Sequence, residues 1–160
     1  MQLSTKGRYA VMALADLAKN GGGSSVTLAA IASRQHLSLS YLEQIFLRLR
    51  RVGLVTSMRG PGGGYRLARP SAGITIAEIM EAVEEPVQMT RCAGEANGGC
   101  VADRKCLTHD LWRALGDHIV AFLGSVSLAD VIDNANAFDA SQQALANKNV
   151  RTHRTRAAAP

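Results

Sequence analysis

Cys92, Cys100, Cys106 and His109 fall within 18 residues, with seven, five and two residues between successive members, in a glycine-containing segment that has no helical or strand period. Three thiols and an imidazole so close together are metal ligands by type. The spacing by itself favours structural zinc, whose tetrahedral shell accepts a Cys3His set, and places an iron–sulfur cluster second. Unligated buried cysteines are the plain alternative, but a glycine-rich loop offers them no core. An oxidised 2Fe-2S core carries about +2, so three thiolates and a neutral imidazole would leave about −1, against about −2 with four thiolates. Imidazole ligation raises the potential and loosens the hold, a defect in an electron carrier and an asset in a sensor. An odd number of cysteines is poor material for a disulfide framework, and points to a reducing compartment, the cytoplasm.

A second constellation lies between residues 40 and 66. Ser40, Tyr41, Glu43, Gln44, Arg48 and Arg51 share the polar side of a helix whose other side is apolar. Long polar side chains on the first turns of such a helix reach base edges and phosphates, with Ser40 and Gln44 as the natural readers. Glu43 has two readings: with Ser40 it forms a capping box, and as a carboxylate it can accept a hydrogen bond from cytosine N4. Downstream, Gly60-Pro61-Gly62-Gly63-Gly64 offers backbone N–H groups unencumbered by side chains, flanked by Arg59 and Arg66. Arginine at such a tip suits a narrow minor groove. The glycines lack the Gly-Lys-Ser/Thr ending of a nucleotide phosphate loop and open a strand, not a helix.

The elements that must carry these residues follow from periodicity and caps. Residues 5–19 form a helix with Tyr9, Met12, Ala13 and Leu17 inward, stopped by three glycines. Thr27 caps a short helix with Leu28, Ile31 and Ala32 on one face, broken near His36. The third helix turns Leu42, Ile45, Phe46, Leu49 and Val52 inward and closes at Gly53. Residues 54–59 and 65–68 are the strands of a hairpin around the glycine-rich tip. Two helices, a turn, a further helix and a hairpin make a winged helix-turn-helix. A fourth helix over 75–84 starts with a Thr75/Glu78 capping box. A long helix capped by Thr108 and running to Gly124 carries the stripe Leu111, Trp112, Leu115, Ile119, Phe122, larger than so small a head can cover and so suited to a homodimer. A short helix follows Ser127, and residues 134–160 read as a disordered tail. The expected organisation is therefore a mainly α chain with one small hairpin: a DNA-binding head (1–70), a cluster loop with dimerisation helices (71–133) and a tail.

Charge separates along the same lines. The chain is 160 residues long with net charge +5, but residues 1–70 hold ten Lys/Arg against two acids, residues 71–133 four against ten, and the tail four against one. A basic head on an acidic body suits a nucleic-acid partner. With 47% hydrophobic residues and no glycine or proline period, collagen-like and wholly disordered chains are excluded. The longest uncharged apolar run, residues 118–129, is too short for the ~20 residues a membrane span needs. The apolar run 9–15 behind Lys6 and Arg8 imitates a short signal peptide until Asp16 interrupts it. An enzyme fits badly, since no paired carboxylates, Ser/His/Asp set or nucleotide loop accompanies the cysteines.

The stretches Leu3-Ser-Thr-Lys-Gly-Arg-Tyr-Ala-Val, Leu39-Ser-Tyr-Leu-Glu-Gln-Ile-Phe, Gly53-Leu-Val, Arg59-Gly-Pro-Gly-Gly-Gly-Tyr and Arg91-Cys, with Cys106-Leu-Thr-His, resemble the IscR family of iron–sulfur cluster regulators over residues 1–133. The resemblance implies a dimeric winged-helix transcription factor that holds a 2Fe-2S cluster received from the iron–sulfur assembly machinery. It further implies binding to palindromic operators in double-stranded DNA, repressing cluster-assembly genes when the cluster is present and activating at some promoters. By the same resemblance Cys92, Cys100, Cys106 and His109 are the cluster ligands, and Ser40, Glu43, Gln44 and Arg59 face DNA; Tyr41, Arg48, Gly60, Gly62 and Arg66 complete the expected interface. This chain departs from better known members in having seven rather than five residues between Cys92 and Cys100. Nitric-oxide-sensing relatives with a carboxylate ligand near the N-terminus are less similar, because Arg8 stands at that place and His109 is kept.

Overall fold

The computed structural model describes residues 5–84, 89 and 105–133. Helices α1 (Thr5–Gly21), α2 (Leu28–Gln35) and α3 (Leu39–Arg51) precede strands β1 (Val55–Met58) and β2 (Gly64–Leu67). A 3-10 turn (Ser71–Gly73) leads to α4 (Ile76–Ala82), and α5 (His109–Ser125) and α6 (Leu128–Ile132) follow. The expected winged helix-turn-helix is thus present, mostly helical with one antiparallel hairpin.

The head forms because three amphipathic helices and the hairpin pool their apolar faces. Helix α1 buries Ala10, Ala13, Leu14 and Leu17, while α3 buries Leu42, Ile45, Phe46 and Leu49. Each large side chain so buried contributes roughly 1.5–3 kcal/mol relative to exposure. Met12 and Val52 depart from the expected stripes and are 37% and 57% exposed, because Met12 sits a turn face away from Leu14 and Leu17 and Val52 has left the helix as its C-cap. Thr27 caps α2 as expected, its hydroxyl accepting from the Ala30 N–H at 3.2 Å. His36 ends α2 in the left-handed region, φ 53°, and Leu37 N–H donates back to the Ala32 carbonyl at 3.0 Å. That reversal is the turn of the helix-turn-helix.

An ion pair fixes the angle of α2 on α1. Asp16 is 5% exposed and accepts from Arg34 Nε at 3.0 and 3.1 Å, Arg34 Nη2 at 2.5 Å and Gln35 Nε2 at 2.8 Å. Burial pushes the carboxyl pKa upward, but these donors and the Arg34 charge outweigh it and hold it below its usual range.

Packing crosses residue 70. Ile74, Ile79, Val83, Val126 and Leu128 join the same core as the head. Both α4 and α6 begin with a complete capping box, Thr75/Glu78 and Ser127/Asp130. The two starts lie side by side in an antiparallel bridge, with Ile76 N–H donating to Val126 O at 2.9 Å and Leu128 N–H to Ile74 O at 2.8 Å. Glu78 also receives Arg69 Nη2 at 2.6 Å, which ties the chain leaving the wing to α4. Helix α5 contributes little to this core: of its side, only His109 and Gly116 are buried, and Leu111, Trp112 and Val120 are exposed at 62, 43 and 48%. Thr108 stands at the N-cap of α5, but its hydroxyl makes no cap bond. No helix among the described residues is long and apolar enough to cross a membrane. The expected tail, 134–160, lies outside the described residues.

Candidate nucleic-acid interface and cluster loop

Helix α3 starts two residues earlier than its expected cap at Ser40. Ser38 is the N-cap, without a side-chain cap bond, and Leu42 N–H donates to the Ser38 carbonyl at 3.0 Å. Ser40 is therefore the second helical residue and Glu43 the fifth, too far along for the reciprocal bond of a capping box. This corrects the expected Ser40/Glu43 box: among the described residues the caps that match the pattern are those of α4 and α6. Ser40, Glu43 and Gln44 are all exposed, and Ser40 Oγ lies 3.0 Å from Ser38 Oγ. Among the described residues Glu43 makes no hydrogen bond or ion pair, so its carboxylate is uncommitted.

Tyr41 is half-buried, packed edge-on against Tyr9 of α1 with ring centroids 5.9 Å apart at 87°. Its ring is committed to packing, and a groove of about 550 Å³ opens beside it. Thr5, Tyr9, Ser38, Ser40, Tyr41 and Gln44 line this groove, five hydroxyls and an amide with no carboxylate among them. Arg48, expected among the DNA-facing residues, is turned toward the end of α4, where it forms an ion pair with Glu84. The Arg48 guanidinium holds the Glu84 carboxyl below its usual range.

The expected hairpin is present, with Val55 opposite Leu67, Thr56 opposite Arg66, Ser57 opposite Tyr65 and Met58 opposite Gly64. Arg59 is exposed just past β1, and Arg66 is exposed on β2 with its Nε donating to Thr56 Oγ1 at 3.2 Å. Gly60 and Gly62 are exposed and adopt positive φ, 97° and 77°. Sequence reasoning missed two features. Arg50 reaches from α3 to Ser57 Oγ on β1 at 3.4 Å, adding a cation between helix and wing. And Val26, in the loop before α2, pairs with Tyr65 as a third strand segment, with N–H to O distances of 2.8 Å in both directions. The signal for the latter was present at Gly64: a Cβ there would stand 2.5 Å from the Val26 carbonyl oxygen, so only glycine permits the approach.

Of the four expected metal ligands, Cys92 and Cys100 lie outside the described residues. Cys106 and His109 are described, and the fold brings them together at the entrance of α5. His109 N–H donates to the Cys106 carbonyl at 3.0 Å, so a single turn joins a half-buried thiol to an imidazole only 7% exposed. Cys106 Sγ lies 3.6 Å from Thr108 Oγ1. A thiol and a sheltered imidazole on one turn are a fitting donor pair for the mixed sulfur and nitrogen shell expected here. Met89 covers α5 at Gly116, where a Cβ would meet its side chain at 3.2 Å.

Comparison with known proteins agrees with the fold. The family model described as Rrf2, iron-dependent transcriptional regulator, matches residues 3–134. The HTH-type transcriptional regulator IscR of Enterobacter sp. (strain 638) is 47% identical over 154 residues, 96% of this chain and 93% of that protein. Among solved structures, T. potens IscR superposes with a TM-score of 0.68 at 36% identity, covering 84% of this chain and 88% of the other. CymR of B. subtilis, described as the global cysteine regulator, gives 0.71 at 33% identity, covering 84% and 98%.

Proposed function

The chain belongs to the Rrf2 family of iron-dependent transcriptional regulators, and from that premise we propose that it reports iron–sulfur cluster status to DNA through a 2Fe-2S cluster and represses cluster-assembly genes. The observation that carries this reading is the placement of Cys106 and His109 on one turn at the start of α5, in a chain whose recognition helix and wing leave Ser40, Glu43, Gln44 and Arg59 exposed.

Cys92, Cys100, Cys106 and His109 would hold the cluster, which supplies a redox-active, supply-dependent group whose presence orders its ligand loop. The protein's own residues do the rest. Ser40 and Gln44 read base edges in the major groove, and Arg59 with the wing glycines approaches the minor groove. Glu43, free of any cap, rejects sites that offer no donor opposite it. Arg66, Arg50 and the hydroxyl-lined groove beside Tyr41 meet phosphates. Two heads joined through the exposed α5 stripe read the halves of a palindromic operator. Such a protein acts in the cytoplasm, where operator DNA and the cluster-assembly machinery that loads it are both present.

Purification without air, with iron and sulfide analysis, followed by DNA-protection mapping of loaded and cluster-free protein, tests the reading. Equimolar iron and sulfide near two per chain and a changed protection pattern on cluster loss are expected. A colourless protein carrying zinc would replace the sensor by a structural site.

A further inference from the structure

The wing tip is built from glycines that give it little stiffness of its own. Gly60 to Gly63 close a turn through a Gly63 N–H to Gly60 O bond at 2.8 Å, with Pro61 second and Gly62 third at φ 77°, the arrangement of a type II turn. Arg59 immediately precedes this turn. Among the described residues, the Ser25 hydroxyl reaches the turn from outside the hairpin and donates to the Gly62 carbonyl, across 37 residues of sequence. Ser25 is itself fixed by its neighbour, because Val26 pairs with Tyr65 through both backbone bonds.

We propose that Ser25 is a positioning residue for DNA recognition: its hydroxyl pins the wing turn and thereby sets the direction in which Arg59 approaches the minor groove. This rests on the assignment of the wing as a DNA contact. A glycine-rich turn left unpinned samples many backbone states, and the entropy of ordering it would be charged to DNA binding. Pinning it in the free protein removes that cost before DNA arrives. Ser25 is half-buried behind the wing and does not itself need to touch DNA.

The test has two parts. Backbone relaxation of the free protein reads the pin directly: in Ser25→Ala the order of Gly62 and Gly63 should fall below wild type, and in Ser25→Thr, which keeps the hydroxyl, it should not. Unchanged order in Ser25→Ala overturns the proposal whatever the wing does. The second part measures operator binding in wild type, Ser25→Ala, Arg59→Ala and the double variant. Ser25→Ala should weaken binding by about 3- to 10-fold, the worth of one hydrogen bond, Ser25→Thr should restore it, and the loss should vanish in the Arg59→Ala background. Losses that add in the double variant would show that Ser25 does not act through Arg59 and overturn the proposal. If Arg59→Ala binds as wild type while Gly62 and Gly63 loosen in Ser25→Ala, the pin stands as a structural fact and the wing's assignment to DNA is what fails, taking Ser25's role in recognition with it.

Discussion

Glu43 shows how one side chain changes meaning when its helix starts two residues earlier. The Ser-Tyr-Leu-Glu string matches a capping box in sequence, yet the same pattern is realised at Thr75/Glu78 and Ser127/Asp130 and not here. The reason lies upstream: the left-handed His36 reverses the chain so tightly that Ser38 already supplies the first helical carbonyl. Glu43→Ala should therefore leave thermal stability within about 0.5 kcal/mol of wild type, since no cap is lost. It should instead narrow the gap between preferred and rejected operators by about 1–3 kcal/mol per affected contact, measured by competition binding. A drop in melting temperature with discrimination intact would return Glu43 to a purely structural role. Arg59→Ala, at the exposed foot of the wing, should weaken specific binding by about 1–3 kcal/mol with little change on random duplex. The proposed ligands Cys92 and Cys100, outside the described residues, were legible only as chemical types at a spacing, because their stretch of sequence carries no periodicity.

At the scale of elements, the helices and hairpin were legible because each carries its own period and stop, as in the α3 stripe ending at Gly53. What the sequence concealed were contacts made by single residues far apart in the chain: Val26 on Tyr65, Arg50 on Ser57, Arg48 on Glu84, and Asp16 with Arg34. None has a local pattern to announce it. The Asp16 pair lends itself to measurement. Its carboxyl pKa is depressed in the folded chain, so its contribution is fully present above the unfolded value of about 3.9 and is lost as pH falls through the lower folded value. Asp16→Asn should cost about 1–3 kcal/mol in urea unfolding at neutral pH, because the amide keeps only one acceptor oxygen and loses the charge that faces Arg34 beside the core. The difference between variant and wild type should shrink as pH is lowered below 4; a constant difference would mean that the charge of Asp16 contributes nothing.

At the scale of the whole molecule, α5 carries exposed apolar side chains, Leu111, Trp112 and Val120. Leu111 and Trp112 are exposed on one face of α5, and the proposed two-fold arrangement would set this face against the same face of a second copy. Sedimentation should find a dimer at micromolar concentration, and Trp112→Glu should dissociate it while leaving helix content unchanged. Operator affinity should then fall steeply, because each separated head of +8 retains its salt-dependent grip on phosphates but reads only half a site.

The bridge between Thr75 and Ser127 gives this architecture a neck. The chain leaves the head and returns to it at adjacent points, each fastened by its own capping box and by reciprocal backbone bonds. Between these points α4 still packs Ile76, Ile79, Met80 and Val83 into the head core, so it is the stretch of sequence beyond Glu84 whose length the two fastened ends leave free to vary. A stretch so mounted can lengthen or shorten without repacking the head, and the longer Cys92 to Cys100 spacing falls within it. On the proposed reading, deleting two residues from 93–99 should alter metal retention while the head melts and binds random duplex as before.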